Sequence, residues 1–231
     1  MPFDKTIVYY KITNFKEIHH KYQYHDGLNV LTQRFNNKRY ESCVKGGLYF
    51  TTKEHLHEYA HYGIWIREVR LPQNDPELQV VMDPAGDKWR ANKIILGKKY
   101  SVFDSSAYVE IGLDINKFNY FCAAAKYGID YYVEAYLRAG KVNRADYYTA
   151  ISHACQKGKI CVLELLKKYA PYKFLCDELY VQFACINSHV KIMEWAKENS
   201  IVFTVKNNEI DHNNHELVMW FVNNPQYIEI E

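Results

Sequence analysis

Ala124–Gly140 reads AAKYGIDYYVEAYLRAG, Ala154–Ala170 reads ACQKGKICVLELLKKYA, and Ala184–Ser200 reads ACINSHVKIMEWAKENS. The three stretches superimpose at a constant step of thirty residues, which aligns Ala124, Ala154 and Ala184, then Gly128, Gly158 and Ser188, then Glu134, Glu164 and Glu194. Within each stretch the apolar positions follow the i, i+3, i+4, i+7 spacing of a helix with one buried stripe. The second unit shows it with Val162, Leu165, Leu166 and Tyr169. The first repeats it with Tyr132, Ala135, Tyr136 and Ala139, and the third with Ile192, Trp195, Ala196 and polar Asn199. A preceding helix is expected in each unit, over Asn116–Tyr127, Ala145–Lys157 and Asp177–Asn187. It ends at the Gly or Ser position, where a left-handed residue admits a tight turn into the next helix. Small Ala154 lets the first helix approach its partner closely, while the second helix carries the larger side chains toward the neighbouring unit.

A helix, a tight turn and a helix in tandem resemble the ankyrin family, whose unit usually runs to about 33 residues and opens on Thr-Pro-Leu-His. The step here is shorter and that tetrapeptide is absent, so the resemblance is to a degenerate subtype. Units are expected near 115–144, 145–174 and 175–204, with a polar cap over 205–231. At an offset of 26 residues, Val218, Phe221 and Val222 of that cap fall on Ile192, Trp195 and Ala196, flanked by Asn213, Asn214, Asn223 and Asn224. The fold class expected for the chain is therefore an α+β N-terminal domain over 1–104 followed by an all-α ankyrin-type repeat stack of three to four units over 105–231.

The first domain reads as short alternating or β-branched runs: Thr6–Ile12, Leu28–Leu31, Gly47–Thr51, Ile64–Leu71, Leu78–Val81 and Lys93–Leu96. Alternation along Ile64–Leu71 suggests a strand with one half-buried face. Thr51 and Glu54 form a T-x-x-E capping box ahead of a helix whose apolar side is Leu56, Tyr59 and Ala60 and which Gly63 stops.

Several segments of this half, Tyr10-Lys11-Ile12-Thr13-Asn14, His20 to Tyr24, Asp26-Gly27-Leu28-Asn29, Gly46 to Thr52 and Lys88 to Leu96, resemble the N-terminal region of giant-virus (Mimivirus-type) ankyrin-repeat proteins. The resemblance extends over nearly the whole chain, because such proteins carry degenerate ankyrin units after that region. It implies engagement of a host or viral protein in the host cytoplasm or viral factory, and it brings no catalytic residues with it.

Composition sets the outer limits. Apolar residues make up 48% and charged residues 24%, which implies a packed core rather than a disordered chain. With 29 Lys plus Arg against 27 Asp plus Glu, no large field steers the chain onto phosphates, so general nucleic-acid binding is not expected. No apolar run approaches the roughly 18 residues of a membrane span, and Met1-Pro2-Phe3-Asp4-Lys5 lacks the pattern of a signal peptide, so a soluble, non-secreted protein is expected. The six cysteines form no C-x-x-C pair, and the five at Cys122, Cys155, Cys161, Cys176 and Cys185 read as small hydrophobes in helical stretches.

Two enzymatic readings are weaker than binding. His57-Glu58-Tyr59-Ala60-His61 matches the zincin pattern H-E-x-x-H, but Gly63 ends the helix just past His61 and a third ligand is missing; a solvated polar face is the simpler reading. Gly47-Leu48-Tyr49-Phe50-Thr51 is similar in form to the glycine-rich strand beside the nicotinamide pocket of ADP-ribosyltransferases, with Glu68 and Glu110 as unsupported catalytic candidates. The expectation is a non-catalytic adaptor with no metal, cofactor or small-molecule substrate. Its candidate partner contacts are Lys141, Arg144, Tyr148, Tyr172 and Lys173, which sit in or beside the inter-unit connections, where ankyrin stacks usually bind.

Overall fold

The structure, a computed structural model, describes residues 4, 6–174, 176 and 178–229. The chain divides into two compact units, residues 1–119 and 120–231. The division falls later than the 104/105 expected, and the reason lies in helix α1 (Ser105–Ile111). Its Ala107, Tyr108 and Ile111 are buried, the Tyr108 hydroxyl donates to the Val102 carbonyl at 2.8 Å, and its ring meets Phe118 edge-on. The segment after 104 thus belongs to the first unit.

That unit is built on a seven-stranded antiparallel sheet. In chain order its strands are β1 (Tyr9–Thr13), the small hairpin β2 (Ile18–His19) and β3 (Tyr22–Gln23), β4 (Gly27–Val30), β5 (Leu48–Thr51), β6 (Trp65–Arg70), β7 (Val80–Met82), β8 (Lys88–Ala91) and β9 (Lys93–Ser101). The main sheet runs in the order β4-β9-β6-β1-β5-β8-β7, and the β2–β3 hairpin stands apart from it. All six expected runs contain strand; β8, with its alternating charges Lys88 and Arg90, is an addition. Tyr9, Phe50 and Trp89 form an aromatic nucleus, with ring centroids 5.0 and 5.4 Å from Tyr9, around which Leu48, Val69, Ala91, Ile94 and Leu96 close one core. Such contacts add roughly 0.5–1.5 kcal/mol per aromatic pair beyond area burial.

Two local expectations change. Strand β6 is central, lying between β9 and β1, and adjacent Ile66 and Arg67 are both buried along with Val69, so both of its faces are covered; its register with β9 shifts between Arg67 and Val69. The single half-buried face expected from the alternation is therefore corrected: residues on both faces of β6 are buried. The helix expected after Thr51 is a 3₁₀ helix, Leu56–Tyr62, with no side-chain cap at His55, and Thr51 itself lies buried in β5. The capping box does not form, and only Leu56 of the expected apolar side is fully buried.

The second unit stacks helix pairs: α2 (Phe121–Tyr127) with α3 (Asp130–Arg138), α4 (Arg144–Gln156) with α5 (Ile160–Lys168), and α6 (Glu178–Ile186) with α7 (Val190–Glu198). First helices pack in one row, α2 on α4 on α6, and second helices in another, α3 on α5 on α7. The aligned alanines fix the turns. Ala124, Ala154 and Ala184 are wholly buried, and their carbonyls accept from the amides of Ile129, Lys159 and His189 at 2.9, 2.8 and 2.8 Å. Gly128, Gly158 and Ser188 just before those amides take φ of 74°, 66° and 59°. This is the six-to-one hydrogen bond with a left-handed residue that ends a helix cleanly.

The first helix of unit one starts at Phe121, because Asp114 caps a separate 3₁₀ turn over Ile115–Lys117 in place of the expected helix start at Asn116. On α3 the buried side chains are Val133 and Leu137, with Tyr132 and Tyr136 half-buried and Ala135 and Ala139 exposed, so the stripe expected there is rotated. Two alanines offer little area to bury, whereas the Tyr136 ring stacks on both Phe121 and Tyr132. Asp177, the expected start of the third first helix, lies outside the described residues.

After α7 the pattern shortens. Strand β10 (Val205–Lys206) and a 3₁₀ turn, Asn207–Glu209, stand where a first helix would be, α8 (His215–Asn223) packs on α7 as a further second helix, and β11 (Ile228–Glu229) pairs in parallel with β10. Asn214 caps α8 by accepting from the Leu217 amide at 3.0 Å. The cap buries Leu217, Trp220 and Phe221 and leaves Val222 exposed, which corrects the offset of 26: Trp220, not Phe221, occupies the place of Trp195.

Candidate partner-binding face

The five residues singled out from the sequence lie around the start of α4 and the loop after α5. Asn143 caps α4, its side-chain oxygen accepting from the Asp146 amide at 2.9 Å, and this sets Arg144 as the first helical residue. One turn on, the Tyr148 ring lies 5.8 Å from the Arg144 guanidinium carbon, and its hydroxyl donates to the Lys173 carbonyl at 3.0 Å. In the reverse direction, the Tyr172 hydroxyl donates to the carbonyl of Val142 at 3.2 Å, while its ring sits 5.8 Å from Tyr147. Tyr147 is buried and bonds the Leu166 carbonyl at 2.8 Å. Tyr172 therefore ties the connection after α5 to the connection before α4, and Tyr148 ties the same connection to the first turns of α4 itself. Tyr148 and Tyr172 are half-buried and hold the backbone, whereas Lys141, Arg144 and Lys173 are exposed. Neither Arg144 nor Lys173 enters an ion pair among the described residues.

Rigidity between units comes from a second set of contacts. The three aligned glutamates each receive a donor from the following unit: Glu134 from the Tyr169 hydroxyl at 2.8 Å, Glu164 from the Trp195 indole N–H, and Glu194 from the Trp220 indole N–H. Arg138 braces the first of these, 2.8 Å from Glu134 and 4.7 Å from the Tyr169 ring, and holds the Glu134 carboxyl below its ordinary pKa together with the tyrosine. The repeated glutamates are visible in the sequence, but their donors change type and spacing, which is why the ladder is not.

Trp195→Phe keeps an aromatic ring in the buried site but removes the indole donor together with the fused five-membered ring. Glu164 is exposed and can rehydrate, so the hydrogen bond accounts for about 1 kcal/mol of the loss, the low end for a solvent-accessible acceptor, and the lost ring area for roughly 1 kcal/mol more. Urea unfolding of the full chain reads it; a loss above roughly 3 kcal/mol, the scale of large core truncations, would mean the ring itself had been displaced.

The other sequence candidates are not assembled. On a 3₁₀ helix four residues turn through about 480°, leaving His57 and His61 about 120° apart where zinc needs one face. The His57 Nδ1 lies 3.0 Å from the Glu54 carbonyl, Glu58 pairs with His55 at 2.7 Å, and His61 packs on the Tyr62 ring. Among the described residues no group of three His, Cys, Asp or Glu side chains is placed to hold a metal ion. Glu68 and Glu110 do meet, but over the Tyr100 hydroxyl, at 2.9 and 3.1 Å, and neither lines the cavity that Tyr49, Phe50 and Thr51 border. All six cysteines are free thiols, and Cys161 is exposed on α5 rather than serving as a core hydrophobe. No helix among the described residues is long and apolar enough to cross a membrane.

Stacked helix pairs with a glycine-type turn at a constant step, following an antiparallel-sheet unit, define an ankyrin-type repeat protein. The comparisons with known proteins agree. A protein of Acanthamoeba polyphaga mimivirus named as an ankyrin repeat protein, R868, is 36% identical over 193 residues, spanning 77% of this chain and 94% of its own. An uncharacterised protein of the same virus, R869, is 44% identical over 112 residues, 47% of this chain and 80% of its own, and another named for ankyrin repeats, R229, is 38% identical over 123 residues, 47% and 39% respectively. The chain belongs to this mimivirus ankyrin-repeat family. No family model and no solved structure matches it.

Proposed function

We propose that the protein is a non-catalytic adaptor that binds a host or viral protein through the connections of its repeat stack, in the host cytoplasm or viral factory. The observation that carries this reading is the pair of reciprocal tyrosine bonds, Tyr148 to Lys173 and Tyr172 to Val142. They fix two neighbouring connections before any partner arrives, so little ordering cost remains at binding, and they leave Lys141, Arg144 and Lys173 exposed on one rim. Three cations on a fixed backbone suit an acidic segment of a partner, where charge complementarity chooses the partner and speeds encounter.

The test uses the full chain as bait in host-cell lysate beside a K141E/R144E/K173E variant of equal thermal stability. Proteins retained by the native chain are expected to fall at least tenfold in the variant. Equal retention by both would remove this rim as the binding face.

A further inference from the structure

The first unit holds a cavity that nothing in the repeat stack explains. Strand β1 meets β5 at one register position, Tyr10 opposite Thr51, although β1 pairs with β6 along its length and β5 pairs with β8 along its own. Past that position the two strands splay, and a cavity of about 190 Å³ opens between Lys11–Ile12 and Tyr49–Phe50. Its walls are aromatic, with Tyr10, Tyr49, Phe50, Tyr59 and Tyr62. Its basic groups are Lys11, Lys45, Lys88, His19 and His20, and among the described residues no Asp or Glu lines it.

Lys11 is the decisive residue. It is 6% exposed, and its ammonium makes one hydrogen bond, to the Tyr49 carbonyl at 3.0 Å, and one cation–π contact, 4.7 Å from the Tyr24 ring. No ion pair involving Lys11 occurs among the described residues. An ammonium has three donors, and a buried charge is ordinarily paired because desolvation costs several kcal/mol. Burial accordingly pulls the Lys11 pKa down to about 8, the direction a bound anion would reverse. Lys88 differs, since Asp83 and Asp87 stand 3.4 and 3.3 Å from its ammonium and offset its charge.

The hairpin over the cavity is shaped at a cost. His20 and Lys21 occupy its two-residue turn at φ of 48° and 68°, a conformation that normally selects Asn-Gly. Cys43, another lining residue, also sits at positive φ, 53°. The hairpin stacks His19 on His20 at 4.2 Å beside the cavity. Strain of this kind persists only where surrounding structure enforces it, and it gathers at ligand sites.

We infer that this cavity binds a small, one-ring aromatic anion, with its negative group on the Lys11 ammonium and its ring between the tyrosine and phenylalanine side chains. The size fits, because a cavity of roughly 150 Å³ already admits benzene. The ligand class is set by the wall: aromatic faces for a flat ring, an uncompensated cation for its charge.

The probes are benzoate, phenyl phosphate and the neutral benzyl alcohol, titrated into the full chain and followed by amide chemical shifts and calorimetry. Benzoate or phenyl phosphate is expected to saturate the shifts of lining residues and to bind at least tenfold more tightly than benzyl alcohol; whichever is tighter identifies a carboxylate or a phosphate monoester as the group read. In Lys11→Met the anion's advantage is expected to vanish while benzyl alcohol still binds. The inference fails if benzyl alcohol equals the anions in the native chain, or if neither anion saturates by 10 mM (on the order of the weakest affinities worth measuring). The native-chain comparison decides the matter even if the variant does not fold.

Discussion

Gly63→Ala is expected to destabilise the first unit by at least about 3 kcal/mol, the scale of severe overpacking. A Cβ at this position would lie 2.0 Å from the Thr13 carbonyl oxygen and 2.4 Å from the Asn14 nitrogen, both backbone atoms that cannot swing aside. The neighbouring Ile64 amide donates to that same carbonyl at 3.0 Å, so moving the chains apart would also cost the hydrogen bond that closes the end of β1. The φ at Gly63 is extended, and the requirement is one of space. Gly27 makes the opposite control, because it sits at φ of 79° with nothing within 4 Å of an added Cβ. Gly27→Ala is expected to cost about 1 kcal/mol, the left-handed penalty alone. Urea unfolding of the two variants measures both, and equal losses would contradict the steric account.

Arg90→Met is expected to cost about 3–5 kcal/mol, the range for removing one partner from a buried charged cluster. Arg90 has no exposed surface, and its guanidinium donates to the carbonyls of Asn36 at 3.0 Å, Lys38, and Glu41 at 3.4 Å. These belong to the long connection between β4 and β5, which has no regular structure of its own. The same connection is held from another side by Asp83, which accepts from the Ser42 hydroxyl at 2.7 Å and the Cys43 amide at 3.2 Å. Gly47 leaves room for the arginine, since a Cβ there would stand 2.7 Å from the Arg90 Cβ. Methionine fills much of the volume but donates nothing, leaving the carbonyls of Asn36, Lys38 and Glu41 without their guanidinium donor. Trypsin should then cut faster at Lys38, Arg39 and Lys45. Arg90→Lys is expected to recover part of the loss, because an ammonium cannot span the forked set of acceptors. A loss below about 1 kcal/mol in Arg90→Met would show the connection to be held by Asp83 alone.

What the sequence reveals, and what it hides, follows from the range of the interactions. The turns of the stack are local, so Ala124, Ala154 and Ala184 and the Gly or Ser four residues on mark them directly. The stripe of α5 is nearly right because Val162, Leu163 and Leu166 carry enough area to dominate. The stripe of α3 is misplaced because its alanines fit the spacing but bury little. The cap offset slips by one because Trp220 and Phe221 are adjacent aromatics, and only the bond to Glu194 shows which is equivalent to Trp195. The H-E-x-x-H pattern misleads through helix type, a property set by packing after β5 rather than by the five residues. Strand β8 and the cavity are non-local: one depends on Arg90 finding carbonyls some fifty positions away, the other on two strands parting after a single pair. No window of sequence contains either.

The glutamate ladder has a polarity. Each glutamate belongs to one unit and each donor to the next, and at the position before Trp220 the cap carries Met219 where the position before Trp195 is Glu194. The ladder can therefore be continued through a unit inserted before α8 but not through α8 itself. A duplicate of residues 175–204 inserted ahead of the cap would find Glu194 for its own tryptophan and offer a fresh glutamate to Trp220. A duplicate added after α8 would meet a thioether. A unit inserted ahead of α8 thus keeps every glutamate matched to a donor, whereas one placed after α8 leaves its tryptophan without a carboxylate.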